Sequence, residues 1–517
     1  MIVKDAFLPK RFIKNFSIVG LWTLISRVLG FVRDILIATF LGSGPIAEAF
    51  LVAFTLPNMF RRLFAEGALN TAFIPIVSKK ISKKTNPEEF ASDAISVLIT
   101  ALLILTAVAE IFMPILVFGT ASGLSSDARF DLSVKFGRVM FPYIFLISLS
   151  AFLGGILNAL NRYSVSAAAP LLLNVLFIVS LLIAYIYKFD FGWSMTICVP
   201  IAGMFQLILM IIFLKKENFR LKIRIPRLTP EIRRLIKIAI PAALAGGVIQ
   251  INLVVGRQVA SYFEGAIAWL NYADRIYQLP LGVVGIGISV VLLPSLSMKA
   301  SDTLTSESNN IINRSIEFAL LFTLPATCAL IIIPYPIIST LFERGAFTAV
   351  DTINTSKALL VYAIGLPAFV FHKIFSTIYF SKGDTRSPFR YALVGMIANL
   401  LLSIGLSGPI GYLAPALGTT LSGWLVTIML WNNLYTLNFS FDNKFRKVIL
   451  KLSLACLVLS IFLASARNYL LHFLEELTTR SLSLTIIIFS SITLYFLVCQ
   501  ILGLKKLFLK VSSSKNK

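Results

Sequence analysis

Long apolar stretches recur along the whole chain, and this pattern constrains the fold more than any other feature of the sequence. About fourteen mainly apolar segments follow one another from end to end, and 18 or more such residues can cross roughly 30 Å of hydrocarbon as an α-helix. Hydrophobic residues make up 57% of the chain and charged residues 14%, with a mean hydropathy of +0.86. Soluble globular proteins have a very different composition. The sequence therefore predicts an all-α polytopic membrane protein.

The distribution of basic loops gives an independent check on the number of spans. The predicted spans are 15–41, 46–77, 91–118, 133–158, 166–187, 192–214, 232–262, 266–297, 312–338, 352–380, 388–407, 410–437, 447–470 and 481–504. Lysine and arginine are enriched in cytoplasmic loops. Here they precede the first span and follow every even-numbered one, which predicts about 14 transmembrane helices with both termini cytoplasmic in a bacterial inner membrane. Because the formal charge of +23 is spread over short loops, no nucleic-acid partner is expected.

A weak internal repeat divides the chain. Pro57 and Pro280 occupy similar Leu-Pro segments 223 residues apart, and Asn174 and Asn399 occupy a second similar pair 225 residues apart. Transporters built from structural repeats show such offsets. The sequence thus predicts two pseudo-symmetric six-helix lobes, 1–220 and 221–440, followed by two additional helices and a basic cytoplasmic tail in 441–517.

Cysteine and histidine are too sparse and too scattered for a metal or disulfide framework. The four cysteines lie in apolar runs without CxxC spacing, and there are two histidines: Cys198, Cys328, Cys456, Cys499, His372 and His472. Buried cysteine commonly behaves as a small hydrophobic residue. No metal site, no cofactor and no catalytic residue is expected, and no motif assigns coupling to a cation or to the membrane potential.

Charged residues inside the apolar spans are the most informative positions. Each costs about 2.5–3.5 kcal/mol at the centre of a membrane helix, so it usually faces a bundle interior or a water-filled cavity. The first span holds Arg27, Arg33 and Asp34, the second holds Glu48, Arg61, Arg62 and Glu66, the seventh holds Arg257, and the eighth holds Asp274 and Arg275. These charges predict a polar site within the membrane.

The spacing of these charges along the helices shows which of them can form ion pairs within one helix. Arg27 and Asp34 are seven residues apart and fall on nearly one face, whereas Arg33 points elsewhere unless the helix bends at Gly30. Arg62 and Glu66 are an i, i+4 pair that can neutralise itself.

Arg33, Arg61 and Arg275 then have too few neighbouring carboxylates to be fully paired. Because a guanidinium group suits bidentate binding of phosphate oxygens, three of them predict a polyanionic ligand such as a diphosphate. Two structural alternatives remain: the arginines form ion pairs that orient helices, and Arg257 lies near a span end and extends to the interface.

Three segments closely resemble the MurJ (MviN) family of lipid II flippases, within the multidrug/oligosaccharidyl-lipid/polysaccharide (MOP) exporter superfamily. They are "SRVLGFVRD" from Ser26, "AEAFLVAFTLPNMFRRLFAEGALNTAFIPI" from Ala47 and "YADRIYQLPLGVVGIGISVVLLPSLS" from Tyr272. The resemblance extends over essentially the whole chain. It implies a flippase, not an enzyme, that carries undecaprenyl-diphosphate-linked disaccharide pentapeptide (lipid II) to the periplasmic leaflet by alternating access, acting as a monomer among membrane lipids.

The resemblance also implies roles for individual residues. The essential cavity arginines of the family match Arg27, Arg33, Arg61 and Arg275, and its acidic position on the second helix appears as Glu48, where other members carry Asp. The last two spans match the helices thought to form a groove for the lipid tail.

Two other functions are weighed against this one. A cation-coupled exporter of drugs or polysaccharides is the first, but a cavity for cationic drugs needs an excess of Asp and Glu. A membrane enzyme acting on the same lipid is the second, but it needs a nucleophile, a general base or a carboxylate cluster, and the short periplasmic loops show none.

Overall fold

The computed structural model describes the backbone of residues 10–62, 72–297, 305–435, 438–472 and 477–504; within these ranges, side chains 10–18, 242–249, 251, 283–297, 469–472 and 477–478 are not described. Throughout these ranges the regular structure is helical, as predicted. The helices are α1 Lys10–Leu41, α2 Pro45–Arg61, α3 Ile74–Lys83, α4 Pro87–Ile111, α5 Met113–Thr120, α6 Ala128–Met140, α7 Tyr143–Ala159, α8 Tyr163–Tyr187, α9 Phe191–Lys216, α10 Pro230–Ala260, α11 Ala266–Ser297, α12 Ser306–Ile332, α13 Pro334–Phe342, α14 Ala349–Ser381, α15 Arg386–Gly405, α16 Ser407–Ile410, α17 Ala414–Tyr435, α18 Asn443–His472 and α19 Leu477–Ile501.

Ten helical segments in the described part of the chain are long and apolar enough to cross a membrane. They correspond to ten of the predicted spans and confirm a multi-pass membrane protein. The other four predicted spans lie over α1, α2 with α3, α10 and α11, and each includes residues whose placement or side chains are not described. The total of fourteen therefore stays a prediction.

Contacts between residues divide the chain into two compact units, Met1–Ile251 and Asn252–Lys517. In the first unit α1 packs along α8, α2 packs along α6, and α9 packs against α7 and α8. In the second unit α14 lies between α11 and α17, and α15 packs on α17. The finer division at 220 and 440 remains a prediction.

The two asparagines of the internal repeat hold comparable positions in their own units. Asn174 on α8 donates from Nδ2 to the backbone oxygen of Ser26 on α1 at 2.9 Å. Asn399 on α15 donates from Nδ2 to Oδ1 of Asn252 on α10 at 2.8 Å. Because both amides are buried, each bond fixes one helix of its unit against that unit's first or boundary helix.

The two additional helices belong to the second unit, where α18 packs on α12 and α19 packs on α18. Tyr495 on α19 donates its hydroxyl to the backbone oxygen of Leu321 at 2.9 Å. Near the opposite end, Arg480 Nη1 donates to the backbone oxygen of Ser339 at 3.0 Å. These two buried bonds attach α19 at both ends.

An extended segment between α9 and α10 lies along the start of α4. The backbone N–H groups of Arg220, Lys222 and Arg224 donate in turn to Glu88 Oε1, Ser92 Oγ and Ser96 Oγ at 2.9, 3.0 and 3.0 Å. Four residues of helix rise about 6 Å, close to the rise of about 6.6 Å for two residues of extended chain. Because these two repeat distances are similar, every second N–H group of the extended segment lies opposite the next turn of α4.

Replacing Ser96 by alanine should release the N–H of Arg224 and accelerate its amide hydrogen exchange by roughly tenfold, the equivalent of about 1 kcal/mol for one hydrogen bond. Hydrogen exchange of the purified protein measures this effect. Ser465→Ala is the matched control, because the Ser465 hydroxyl donates within its own helix to Ile461. Equal exchange at Arg224 in both variants would show that the Ser96 bond does not hold the segment.

Candidate substrate site in the first unit

Arg33 is held in a fixed orientation inside the first unit. Its Nε and Nη2 donate to Asp34 Oδ1 at 3.1 and 2.8 Å, and its Nη1 donates to Asn174 Oδ1 at 2.9 Å. The guanidinium carbon lies 5.6 Å from the ring centroid of Phe177 on α8. Only 11% of its side chain is exposed. Described residues engage three of its five N–H donors, and the other two can serve a ligand.

Gly30 lies where α8 meets α1. The helix runs without interruption from Lys10 to Leu41, so it continues through the glycine. A Cβ atom at Gly30 would lie 3.5 Å from Nδ2 of Asn174, an ordinary van der Waals distance. The packing here therefore does not require glycine, and hydrogen bonds hold Asn174 beside Arg33.

Arg61 lines a cavity of about 460 Å³. Its Nε lies 3.4 Å from Oδ1 of Asn58, one turn earlier on α2. The cavity is bounded by α2, α7, α8 and α9 and is lined by Asn58, Arg61, Tyr143, Ile147, Ser150, Ala151, Gly154, Gly155, Asn158, Ser166, Ala169, Pro170, Leu173, Gln206 and Met210. Its volume falls in the range of about 300–1,000 Å³ that is usual for small-molecule sites.

Tyr143 lies in the wall of the same cavity. It is 2% exposed, and its hydroxyl lies 3.4 Å from Oε1 of Gln206. Of the predicted arginines in the first unit, Arg61 thus lines this cavity, whereas Arg33 is bonded to Asn174 on α8.

The remaining charges of the first two spans lie elsewhere. Arg27 and Arg62 are exposed on the surface of the unit, and neither lines the cavity. Arg27 and Asp34, which the sequence placed on one face, differ in burial because Asp34 is drawn toward Arg33 and is 6% exposed. Glu66 lies outside the described residues, so its pairing with Arg62 stays a prediction.

Glu48 makes an ion pair that the sequence did not reveal. Its carboxylate is fully buried and lies 2.5 Å from Nη1 of Arg129 on α6. Arg129 also contacts Asp127, with Nε 2.6 Å from Oδ2. The only sequence signal was an arginine in an otherwise weakly charged loop, on the same predicted side of the membrane as Glu48. The structure thus places Glu48 in a buried ionic cluster and away from the cavity.

Asp127 caps the N-terminus of α6 outside the helix. Its Oδ1 accepts the backbone N–H of Arg129 at 3.0 Å. This backbone hydrogen bond and the Arg129 guanidinium hold the pKa of Asp127 below its usual value, against a smaller opposing effect of burial. The ionised carboxylate therefore stabilises the start of α6.

The second unit contains a smaller polar cavity of about 130 Å³ lined in part by Arg257, Asp274 and Tyr362. Asp274 and Arg275 are electrostatic neighbours of Arg257, and Asp274 Oδ2 accepts a hydrogen bond from Gln278 at 2.5 Å. Arg257 is thus half-buried and lies near the carboxylate of Asp274. This arrangement favours the alternative in which the arginine forms an ion pair. Arg275 is half-buried on the same helix as Asp274 and does not line that cavity.

All four cysteines are free thiols, and Cys198, Cys456 and Cys499 are buried. The described residues contain no group of three or more His, Cys, Asp or Glu side chains arranged to hold a metal ion.

Solved structures define the class of protein. One described as "Lipid II flippase MurJ, inward closed conformation" matches with a TM-score of 0.79 and 28% identity over 93% of this chain and 98% of that one. Inward-facing and outward-facing multidrug resistance MATE family transporters of the MOP superfamily match with TM-scores of 0.64 and 0.54. Their identities of 17% and 16%, over 81% and 83% of this chain and 96% and 97% of theirs, show a shared fold. The chain therefore has the fold of these membrane transporters.

Sequence comparisons define the family. The sequence model of a family described as "Lipid II flippase MurJ" matches residues 37–488. A probable lipid II flippase MurJ of Rhizobium tropici is 40% identical over 502 residues, which cover 95% of this chain and 94% of that protein. The corresponding protein of Rickettsia prowazekii (strain Madrid E) is 36% identical over 471 residues, covering 88% and 90%. The chain belongs to the MurJ family of lipid II flippases, which confirms the resemblance seen in the sequence.

Replacing Asp127 by asparagine should keep the helix cap and remove its charge, so it should lower the thermal unfolding temperature of the purified protein at pH 7. Because the folded pKa of Asp127 is lowered, its contribution is present above the unfolded pKa of about 3.9 and is lost as pH falls through the folded value. The difference between wild type and variant should therefore shrink on acidification to pH 3. Asp127→Ala, which also removes the cap, should cost about 1 kcal/mol more at pH 7. A difference independent of pH would contradict the ionic role.

Proposed function

We propose that this chain carries undecaprenyl-diphosphate-linked disaccharide pentapeptide from the cytoplasmic to the periplasmic leaflet of the inner membrane by alternating access. One observation supports this proposal above the others: Arg61 lines a polar cavity together with Tyr143, and no carboxylate is among the described residues that line it. A guanidinium group in a wall of otherwise neutral described residues suits a diphosphate and disfavours a cationic drug. Membership of the MurJ family supports the choice of lipid.

The geometry of Arg33 suits reversible binding of a phosphate. Its partners Asp34 and Asn174 hold the guanidinium plane in place, so little side-chain freedom is lost when a ligand binds. The two remaining donors can meet two phosphate oxygens. The negative charge of Asp34 partly neutralises the guanidinium. The arginine can therefore bind the diphosphate and also release it.

Alternating access agrees with the fold. Transporters of this fold are described in inward-facing and outward-facing conformations. In the proposed cycle, Arg33 and Arg61 bind the diphosphate with Asp34 as the neighbouring acid, and Arg275 is a further proposed ligand. We place both termini in the cytoplasm, on the basis of the alternating basic loops, and take the monomer among membrane lipids as the transporting unit.

Alanine at Arg33, Arg61 or Arg275 should weaken binding of the lipid by roughly ten- to a hundredfold, which corresponds to about 1.5–3 kcal/mol for a charged hydrogen bond. Growth support in a strain depleted of its own flippase should fall accordingly, with membrane levels of the protein near normal. Arg62→Ala is the matched control, because Arg62 adjoins Arg61 but is exposed away from the cavity.

Arg33→Lys separates charge from geometry, because lysine keeps the charge opposite Asp34 and lacks the fork. It should support growth poorly. Full support by all three alanine variants, or a stronger defect in Arg62→Ala than in Arg61→Ala, would contradict the proposed site.

A further inference from the structure

The cavity beside Arg61 extends well beyond the guanidinium group. Along α7, one face presents Ser150, Ala151, Gly154, Gly155 and Asn158 to the cavity. The spacing of four residues places these small or short polar side chains on successive turns. Leucine or phenylalanine at the same positions would fill this space. The lack of bulk on this face is what opens the cavity.

Close packing of α7 and α8 shapes one side of the cavity. A Cβ atom at Gly154 would lie 3.3 Å from the Cβ of Ser166, so glycine lets α8 approach. Ser166 Oγ then donates to Asn158 Oδ1 at 2.6 Å. This bond orients the Asn158 amide at the cavity wall and leaves its Nδ2 group as a donor.

The polar lining suits a neutral ligand rich in hydroxyl and amide groups. Asn58, Asn158 and Gln206 provide carboxamides, which can donate and accept hydrogen bonds, and Ser150 and Tyr143 provide hydroxyls. Ser150 is 2% exposed and lines the cavity. Its hydroxyl can donate and accept a hydrogen bond, as a carbohydrate hydroxyl requires.

The charges around the cavity decide which part of a substrate fits. Among the described residues that line the cavity, Arg61 is the one ionised side chain, so a diphosphate bound there would hold an attached neutral group next to the carboxamides. Ionised ends of a peptide would find neither a carboxylate nor a second cation among those described residues. A polyprenyl tail would leave the amides unsatisfied.

We propose that this cavity is the carbohydrate subsite of the first unit, where Ser150, Asn158 and Gln206 recognise the sugar next to the diphosphate. This inference rests on the proposed function and adds to it the part of the substrate that the chain recognises. Arg61 then joins two subsites, one for the diphosphate and one for the carbohydrate.

Binding of three synthetic lipids to the full-length purified chain tests the subsite: undecaprenyl diphosphate, the same lipid bearing the disaccharide, and the disaccharide pentapeptide lipid. Ala151→Leu fills the cavity without removing a polar group, and Asn158→Leu removes the amide. Ala101→Leu is the matched control, because it makes the same change at an exposed position on α4. Both cavity variants should bind the two sugar-bearing lipids about tenfold more weakly, as expected for lost hydrogen bonds, and undecaprenyl diphosphate within about twofold of wild type.

The other outcomes overturn the inference in distinguishable ways. Equal weakening of all three lipids would show that the cavity acts through Arg61 or through folding, and weakening of the pentapeptide lipid alone would assign the cavity to the peptide. Unchanged binding of every lipid would remove the subsite. Failure of wild type to bind any of the three lipids would refute the proposed function itself.

Discussion

A guanidinium group can remain inside a membrane protein only if other groups replace the water that it loses. Arg33 meets this condition through the carboxylate of Asp34, the amide of Asn174 and the face of Phe177. Asn174 also fixes part of the surrounding structure, since it donates to the backbone oxygen of Ser26 on α1. The interface of α1 with α8 thus supplies groups that replace the water around the guanidinium, and two of its donors have no bond to a described residue.

Each unit has a buried asparagine that joins two of its helices, but the charged groups near that asparagine differ. The buried amides of Asn174 and Asn399 join comparable helices, but the first has an arginine as a further partner and the second has another asparagine. In the second unit Arg257 has Asp274 as a neighbour and faces a smaller cavity. Of these two cavities, the one in the first unit is therefore the larger, and it is the one lined by Arg61.

Much of the fold could be predicted because the membrane imposes simple rules on sequence. Every backbone polar group in hydrocarbon must be bonded internally, so apolar length indicated the helices, and the cost of buried charge singled out Arg33 and Arg61. Their partners could not be predicted, because Asn174 lies 141 residues from Arg33 and Arg129 lies 81 residues from Glu48. Asn174 was visible in the sequence only as a marker of the repeat. The cavity depends on which face of α7 meets α2 and α9, and hydropathy alone does not define that face.

The central claim is that this chain moves a diphosphate-linked lipid across the membrane, and the accessible fraction of that lipid tests it most directly. Cells whose only flippase is this protein can be treated to inactivate it acutely, and the periplasmic exposure of the disaccharide pentapeptide lipid can then be measured with an externally added enzyme that cleaves it. The account predicts that the accessible fraction falls soon after inactivation while the total pool of the lipid rises. An accessible fraction that stays unchanged while the protein is inactive would contradict it.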